Sequence, residues 1–222
     1  MKSYNLVNTE LKGILNNWMD FFLKEDRSVF AVERWRKKVS SYPGPITAEI
    51  ACGDAYLKYM MAKPQGVPPL GVDGFPEDTY GCDFSHPGTV PDHYKKHTNK
   101  LSKDLLDFFG GRNNAVMMYY PKTGYMGWHH NANAAGLNIL LSWSKEGSGF
   151  FRYRDPITKE IVTMQDTPGW TVKAGYYGRW DEPDKTYWHC AYAEHEERLT
   201  LGFIVPHQGL WDSMIESITE DY

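Results

Sequence analysis

The chain has 222 residues, of which 41% are hydrophobic and 15% aromatic, and a formal charge of −4. That is ample material for the core of one domain, and it argues against disorder and against a surface given over to phosphate binding. Cys52, Cys82 and Cys190 are too few and too scattered for a disulfide framework or a CxxC zinc site. No leader or long apolar stretch is visible, so a cytoplasmic protein with no membrane partner is expected.

Leu6, Leu11, Ile14, Leu15, Trp18, Phe21 and Phe22 recur at three-to-four spacing, which predicts a helix capped by Asn8 or Thr9 and running to about Lys24. A second helix is expected over Ser28–Val39. Gly66–Val90, which contains GVPPLGVDGFPEDTYG, is too rich in glycine and proline for a long helix or a central strand, and reads as an extended covering loop. Helical periodicity returns over Pro91–Phe109 and stops at Gly110 and Gly111. The basic stretches Arg34–Lys38 (RWRKK) and Tyr94–Lys103 (YKKHTNKLSK) are potential nucleic-acid contacts, although a solvated helix face is the simpler reading of each. His93 and His97 sit at metal-compatible helical spacing but lack a nearby third ligand.

From Asn114 the pattern changes to short runs of β-branched and aromatic residues between turns. Candidate strands are Ala115–Tyr120, Tyr125–His129, Leu137–Trp143, Gly149–Tyr153, Glu160–Met164, Trp170–Lys173, Tyr176–Arg179, Tyr187–Ala193 and Leu199–Val205. Short strands at this spacing indicate a sandwich or jelly roll and not alternating βαβ units. Asp155–Glu160 (DPITKE) reads as a hairpin turn and Leu210–Ile218 as a final outer helix. The expected organisation is a single domain, mainly β with flanking helices: N-terminal helices and covering loops over 1–113, a β core over 114–206 and a C-terminal helix over 207–222.

On those strands His129 ends Tyr125–His129, His189 lies inside Tyr187–Ala193, and Arg198 begins the last strand. A jelly roll brings such distant strand ends to one mouth. Two imidazoles and a third side chain could hold one iron there with positions left open, and a guanidinium could fork onto the distal carboxylate of a dicarboxylate chelated to it. Alone, a histidine in a strand is an ordinary core or surface residue; it is the ordered set that gives these three weight. By the period-two rule His130 faces away from His129. Trp128 and Trp188 read as core anchors that fix register, and His195 and His207 carry no signal.

YYPKTGYMGWHHN (Tyr119–Asn131) together with HCAYAEHEERLTLGF (His189–Phe203) resembles the iron(II)/2-oxoglutarate-dependent oxygenases. Their double-stranded β-helix carries HxD, a distant His and an Arg about ten residues later, and the local order looks most like AlkB-type and phage-encoded members. The match runs over roughly Asn114–Val205. It implies that His129 and His189 are iron ligands, that Arg198 binds the 2-oxoglutarate tail with Thr200 at the accompanying hydroxyl position, and that Tyr120 lies against the cosubstrate. The cofactors it implies are Fe(II) and 2-oxoglutarate, and the reaction is hydroxylation of an unidentified substrate with release of succinate and carbon dioxide. The second arginine of the AlkB type is Ile204 here, which weakens a nucleotide-repair reading, and the acidic charge lowers the nucleic-acid option further: a small molecule or amino acid is the expected substrate, with a peptide side chain or a nucleobase (a nucleobase-modifying dioxygenase) left open.

Asn131 stands where the family has its carboxylate. Its neutral oxygen would complete the metal set His129, Asn131 and His189, and three outcomes stay open: a hydroxylase that tolerates Asn, a halogenase with halide in that place, or a degenerate barrel that binds without catalysis. The register His130-x-Ala132 restores the halogenase pattern but breaks the spacing from Tyr120. The cupin pattern of HxH with a downstream Glu is missing, and a hydrolytic base would have to come from Asp166 or Glu194. The elements expected to cover the site are Gly66–Val90 and Gly178–Thr186 (GRWDEPDKT), whose Trp180 and Asp181 are candidates for touching substrate.

Overall fold

Asn8 accepts a hydrogen bond from Leu11 N at 2.9 Å, satisfying one of the free donors at a helix start and opening α1 (Thr9–Phe22). In chain order the other elements are β1 (Lys2–Tyr4), β2 (Glu33–Arg36), α2 (Ala48–Ala51), α3 (Asp54–Ala62), β3 (Asp78–Asp83) and α4 (Asp92–Phe109). Then come β4 (Asn113–Tyr120), β5 (Tyr125–His129), β6 (Gly136–Ser144), β7 (Phe150–Arg154), β8 (Ile161–Gln165), β9 (Gly169–Tyr177), β10 (His189–Tyr192), β11 (Arg198–Val205) and α5 (Gln208–Thr219). The computed structural model describes residues 1–36, 42–63, 76–111, 113–131, 135–179 and 181–219. Among them, no helix is long and apolar enough to cross a membrane.

The strands follow one hydrogen-bonded path, β1-β9-β6-β11-β4-β3-β5-β10-β7-β8, with β2 beside β3. Its two halves are the sheets of a jelly roll: β9, β6, β11 and β4 on one side, β5, β10, β7 and β8 on the other, with every pairing antiparallel. Between β4 and β11 the chain crosses repeatedly from one sheet to the other, so strands distant in sequence share one interior.

Period-two alternation assigns each face. Leu199, Leu201, Phe203 and Val205 of β11 and Ile139 and Leu141 of β6 join an outer cluster with Leu11, Trp18 and Phe22 of α1 and Leu101, Leu105 and Phe109 of α4. On the other sheet, Trp128, Cys190 and Tyr192 meet Ala51, Tyr56 and Met60 from the α2–α3 region. The alternate residues, Arg198 and Thr200 among them, are left to the space between the sheets.

The helices over Thr9–Phe22, Asp92–Phe109 and Gln208–Thr219 follow the sequence periodicity, and Gly110 closes α4 in the left-handed region at φ 55°. Three expectations fail. The helix expected over Ser28–Val39 is absent from its described part, 28–36, because a short 3-10 turn at Arg27–Val29 leads into β2, which pairs with β3; residues 37–39 lie outside those described. Gly66–Val90 is not only a covering loop: β3 lies within it and pairs with both β4 and β5, joining the two sheets, while residues 64–75 lie outside those described. Trp170–Lys173 and Tyr176–Arg179 are one strand, β9, since Ala174 and Gly175 continue its pairing with β6 and Gly175 leaves room for Met1 against it.

Phe22 is fully buried, with its ring edge-on to those of Tyr119 and Trp143. Phe22→Ala is expected to cost about 3–5 kcal/mol of stability, read as a lower denaturant midpoint with an unchanged slope. The inner cavity is on the other side of the sheet, so ligand binding by the folded fraction should be unaffected.

Candidate active site

β5 and β10 pair so that His129 and His189 are Cα partners, which brings residues sixty positions apart in the chain face to face. Their rings lie 4.1 Å apart between centroids and 54° apart in plane. The Nδ1 of His129 meets the carbonyl of Gly127 at 2.8 Å and that of His189 meets the carbonyl of Tyr187 at 2.9 Å. An Nδ1–H donated to a backbone carbonyl fixes the tautomer and leaves the lone pair on Nε2, the form in which imidazole ligates a metal. Burial pushes His129 down to about 4 despite the pull of that carbonyl, and burial with the neighbouring His129 takes His189 well below its ordinary value. Both rings are therefore neutral at pH 7.

They line a cavity of about 520 Å³ together with Asn131, Tyr120, Thr200, Met118, Leu140 and Phe151. Asn131 lies two residues beyond the end of β5 and is half-buried. Among the described residues no third His, Cys, Asp or Glu completes a metal-sized cluster with the pair. His130 packs edge-on against Trp188 at 4.7 Å and does not line the cavity; Ala132, its partner in the alternative register, lies outside the described residues. Trp180 also lies outside them, and Asp181 pairs with Arg179 at the surface. Glu194 occupies the turn after β10, where its carbonyl accepts from Thr123.

Arg198 is fully buried and touches the cavity wall through Thr200 and Tyr120. Its Nε donates to Asp166 Oδ2 at 2.7 Å, Nη2 to Ser142 Oγ at 3.1 Å, and Nη1 to Thr200 Oγ1. Its guanidinium carbon is 5.7 Å from the centre of the Tyr120 ring. Asp166 also accepts from Lys173 Nζ at 2.8 Å. The sequence pointed to Arg198, Thr200 and Tyr120 but passed over Lys173, although it lies on the inward face of β9 with Thr171 and Tyr177, where a lysine stands out. Asp166 was considered as a base for metal chemistry, yet its carboxylate is taken up by the two cations.

Three cavity-lining side chains keep a polar atom without a partner among the described residues: Asn138 Oδ1, Thr79 Oγ1 and the Tyr177 hydroxyl. A buried polar atom left so costs about 1–3 kcal/mol, and such atoms in a cavity wall are contacts for whatever fills it.

No protein-family model matches the sequence, and no curated protein matches it. Among solved structures the chain is similar to a prolyl-4-hydroxylase from Pseudomonas putida, at 15% identity over 88% of this chain and 99% of that one, with a TM-score of 0.31. It is also similar to an oxidoreductase of the 2OG-Fe(II) oxygenase family from Burkholderia pseudomallei, at 13% identity over 91% and 95%, with a TM-score of 0.36. The rice dioxygenase for auxin oxidation gives 16% identity over 91% and 71%, with a TM-score of 0.36. Likeness this distant assigns neither a reaction nor a residue role.

Burial alone would raise the Asp166 carboxyl, but Arg198 and Lys173 hold it below its ordinary 3.8. Because the folded value is the lower one, the stabilisation is complete above about pH 4 and is lost as pH falls through the folded value. Asp166→Ala strands two cations and is expected to cost about 3–5 kcal/mol at pH 7, measured by denaturant unfolding. The deficit should shrink on going to pH 3 and below; a deficit independent of pH would show that the carboxylate charge is not what matters.

Proposed function

We propose that this chain is an iron(II)/2-oxoglutarate-dependent oxygenase that hydroxylates a small molecule or an amino acid. The observation that carries the reading is the His129–His189 pair: two neutral imidazoles, each tied through Nδ1, facing each other across paired strands in the wall of one cavity. With the amide oxygen of Asn131 as a third donor, this set fits a divalent iron that keeps other positions open. When bound, iron and 2-oxoglutarate together activate molecular oxygen, with release of succinate and carbon dioxide.

The remaining roles belong to the chain itself. Thr200 and Tyr120 present hydroxyls to the cavity, and Arg198 stands behind them as the cation for the distal carboxylate of the cosubstrate. Met118, Leu140 and Phe151 make the intervening wall apolar, which suits the methylene chain of 2-oxoglutarate and keeps water out. The described cavity lining carries Glu33 and Asp83 but no lysine or arginine, which supports a neutral or cationic substrate over a phosphate-bearing one.

Anaerobic titration with iron and 2-oxoglutarate tests the reading through the charge-transfer absorption of the joint complex. His189→Ala is expected to abolish the band, and an unchanged band would remove His189 from the site. Iron binding without succinate formation under oxygen would leave a binding module in place of an enzyme.

Asn131→Asp is expected to tighten iron, because an anionic oxygen completes a 2-His-1-carboxylate set. Succinate formation should survive in that variant if the native reaction is hydroxylation. If it is halogenation, halogenated product should vanish. Metal affinity indifferent to the change would take Asn131 out of the metal site.

A further inference from the structure

Three charges are buried behind Thr200 and Tyr120 of the cavity wall, and they do not cancel. Arg198, Lys173 and Asp166 are 0%, 1% and 4% exposed, and the only acid that Arg198 or Lys173 bonds among the described residues is Asp166. The group therefore carries a net charge of +1. Asp166 brings one negative charge to two cations and is shared between them: Oδ2 accepts from Arg198 Nε, and Oδ1 accepts from Lys173 Nζ and, at 3.5 Å, from Arg198 Nη2. An uncompensated charge out of water is costly, and such an excess beside a cavity suits a site that receives an anion.

The approach is one-sided. Asp166 grips the guanidinium along its Nε–Nη2 edge, which leaves Nη1 toward Thr200, a hydroxyl in the cavity wall. Behind the group, Gly149 closes the space: a Cβ there would meet Tyr192 O at 2.6 Å, Asp166 Oδ2 at 3.0 Å and Arg198 Cδ at 3.3 Å. Among the described residues, Thr200 and Tyr120 are the cavity-lining side chains that Arg198 touches, and they mark the side from which an anion would approach.

We propose that Lys173 is a specificity residue, and that with Arg198 and Asp166 it forms a socket of net charge +1 that selects a ligand ending in a single carboxylate. Identifying that ligand as 2-oxoglutarate rests on the oxygenase reading; the charge count does not. Lys173 acts as a positioning residue. It engages Asp166 Oδ1 and Thr171 Oγ1 and supplies the surplus charge through the shared carboxylate. Asp166 in turn orients Arg198.

The test is anaerobic calorimetric titration of the full chain loaded with Mn²⁺, using 2-oxoglutarate and 2-oxopentanoate, which lacks the distal carboxylate. The wild type is expected to prefer 2-oxoglutarate by about tenfold or more. Lys173→Met reduces the socket to zero charge. It is expected to lower that preference by roughly tenfold while changing 2-oxopentanoate affinity by less than about threefold, whereas a merely structural role would weaken both ligands alike. Lys173→Arg keeps the count and should keep the preference.

A folded Lys173→Met protein with undiminished preference overturns the proposal. If that variant does not fold, the wild type carries the test, because equal affinity for the two keto acids overturns the proposal whatever the variants do. A wild type that binds neither keto acid with Mn²⁺ loses the oxygenase reading itself; one that binds both equally keeps that reading and loses only the socket.

Discussion

Two sheets can enclose two imidazoles and three charges only if hydrophobic stabilisation comes from elsewhere. Here it comes from outside the barrel. The largest apolar cluster lies on the outer face of the β9-β6-β11-β4 sheet beneath α1, α4 and α5, and a second lies beneath α2 and α3 on the opposite sheet. A sandwich normally places its core between the sheets. In this chain that space is shared between smaller aromatic clusters and a cavity, so the first hundred residues are needed to bury the outer faces.

That arrangement also sets the chemistry, through register. A slip of one residue in β5 or β10 would turn His129 or His189 outward, and it would equally expose Trp128 or Cys190. Trp128 and Cys190 are fully buried in the outer cluster, with Trp188 beside them, so outward packing holds the two histidines opposite each other. On β11 the same logic applies: Leu199 and Leu201 are locked outward, and Arg198 and Thr200 can only point in. Residues packed on the outer faces thus determine which side chains face the space between the sheets.

The same logic explains what was legible in the sequence. Period-two runs from Asn114 onward gave strands β4 to β11, with β9 split in two, because each strand has an apolar outer face that repeats. His129, Asn131, His189, Thr200 and Tyr120 are likewise brought to one cavity, as their strand positions and the family resemblance suggested. What escaped depends on pairing between segments of weak local pattern. β3 lies in a proline- and glycine-rich stretch and is a strand because β4 and β5 each offer it an edge. β2 exists because β3 does. Lys173 was readable from alternation alone, but its partner Asp166 lies beyond the end of β8, and only the folded chain brings them to 2.8 Å.

Charge balance ties the two ends of the cavity together. At the histidine end, His129, His189 and Asn131 are all neutral, so under the oxygenase reading these three donors would offset none of the charge of a divalent ion. In the buried Arg198–Asp166–Lys173 group behind Thr200 the count is +1, since one carboxylate faces two cations. Neither end is balanced by the chain, and the only carboxylates in the described lining, Glu33 and Asp83, come from β2 and β3. A dianion spanning the cavity would meet positive charge at both of its ends. Under the oxygenase reading, metal and cosubstrate would be mutual conditions for tight binding, because each would remove the electrostatic cost that the other leaves. An aspartate at position 131 would loosen this coupling by neutralising part of the metal's charge before the cosubstrate arrives. On that reading, a neutral residue there would make the fully assembled site, and not the metal alone, the state that the interior favours.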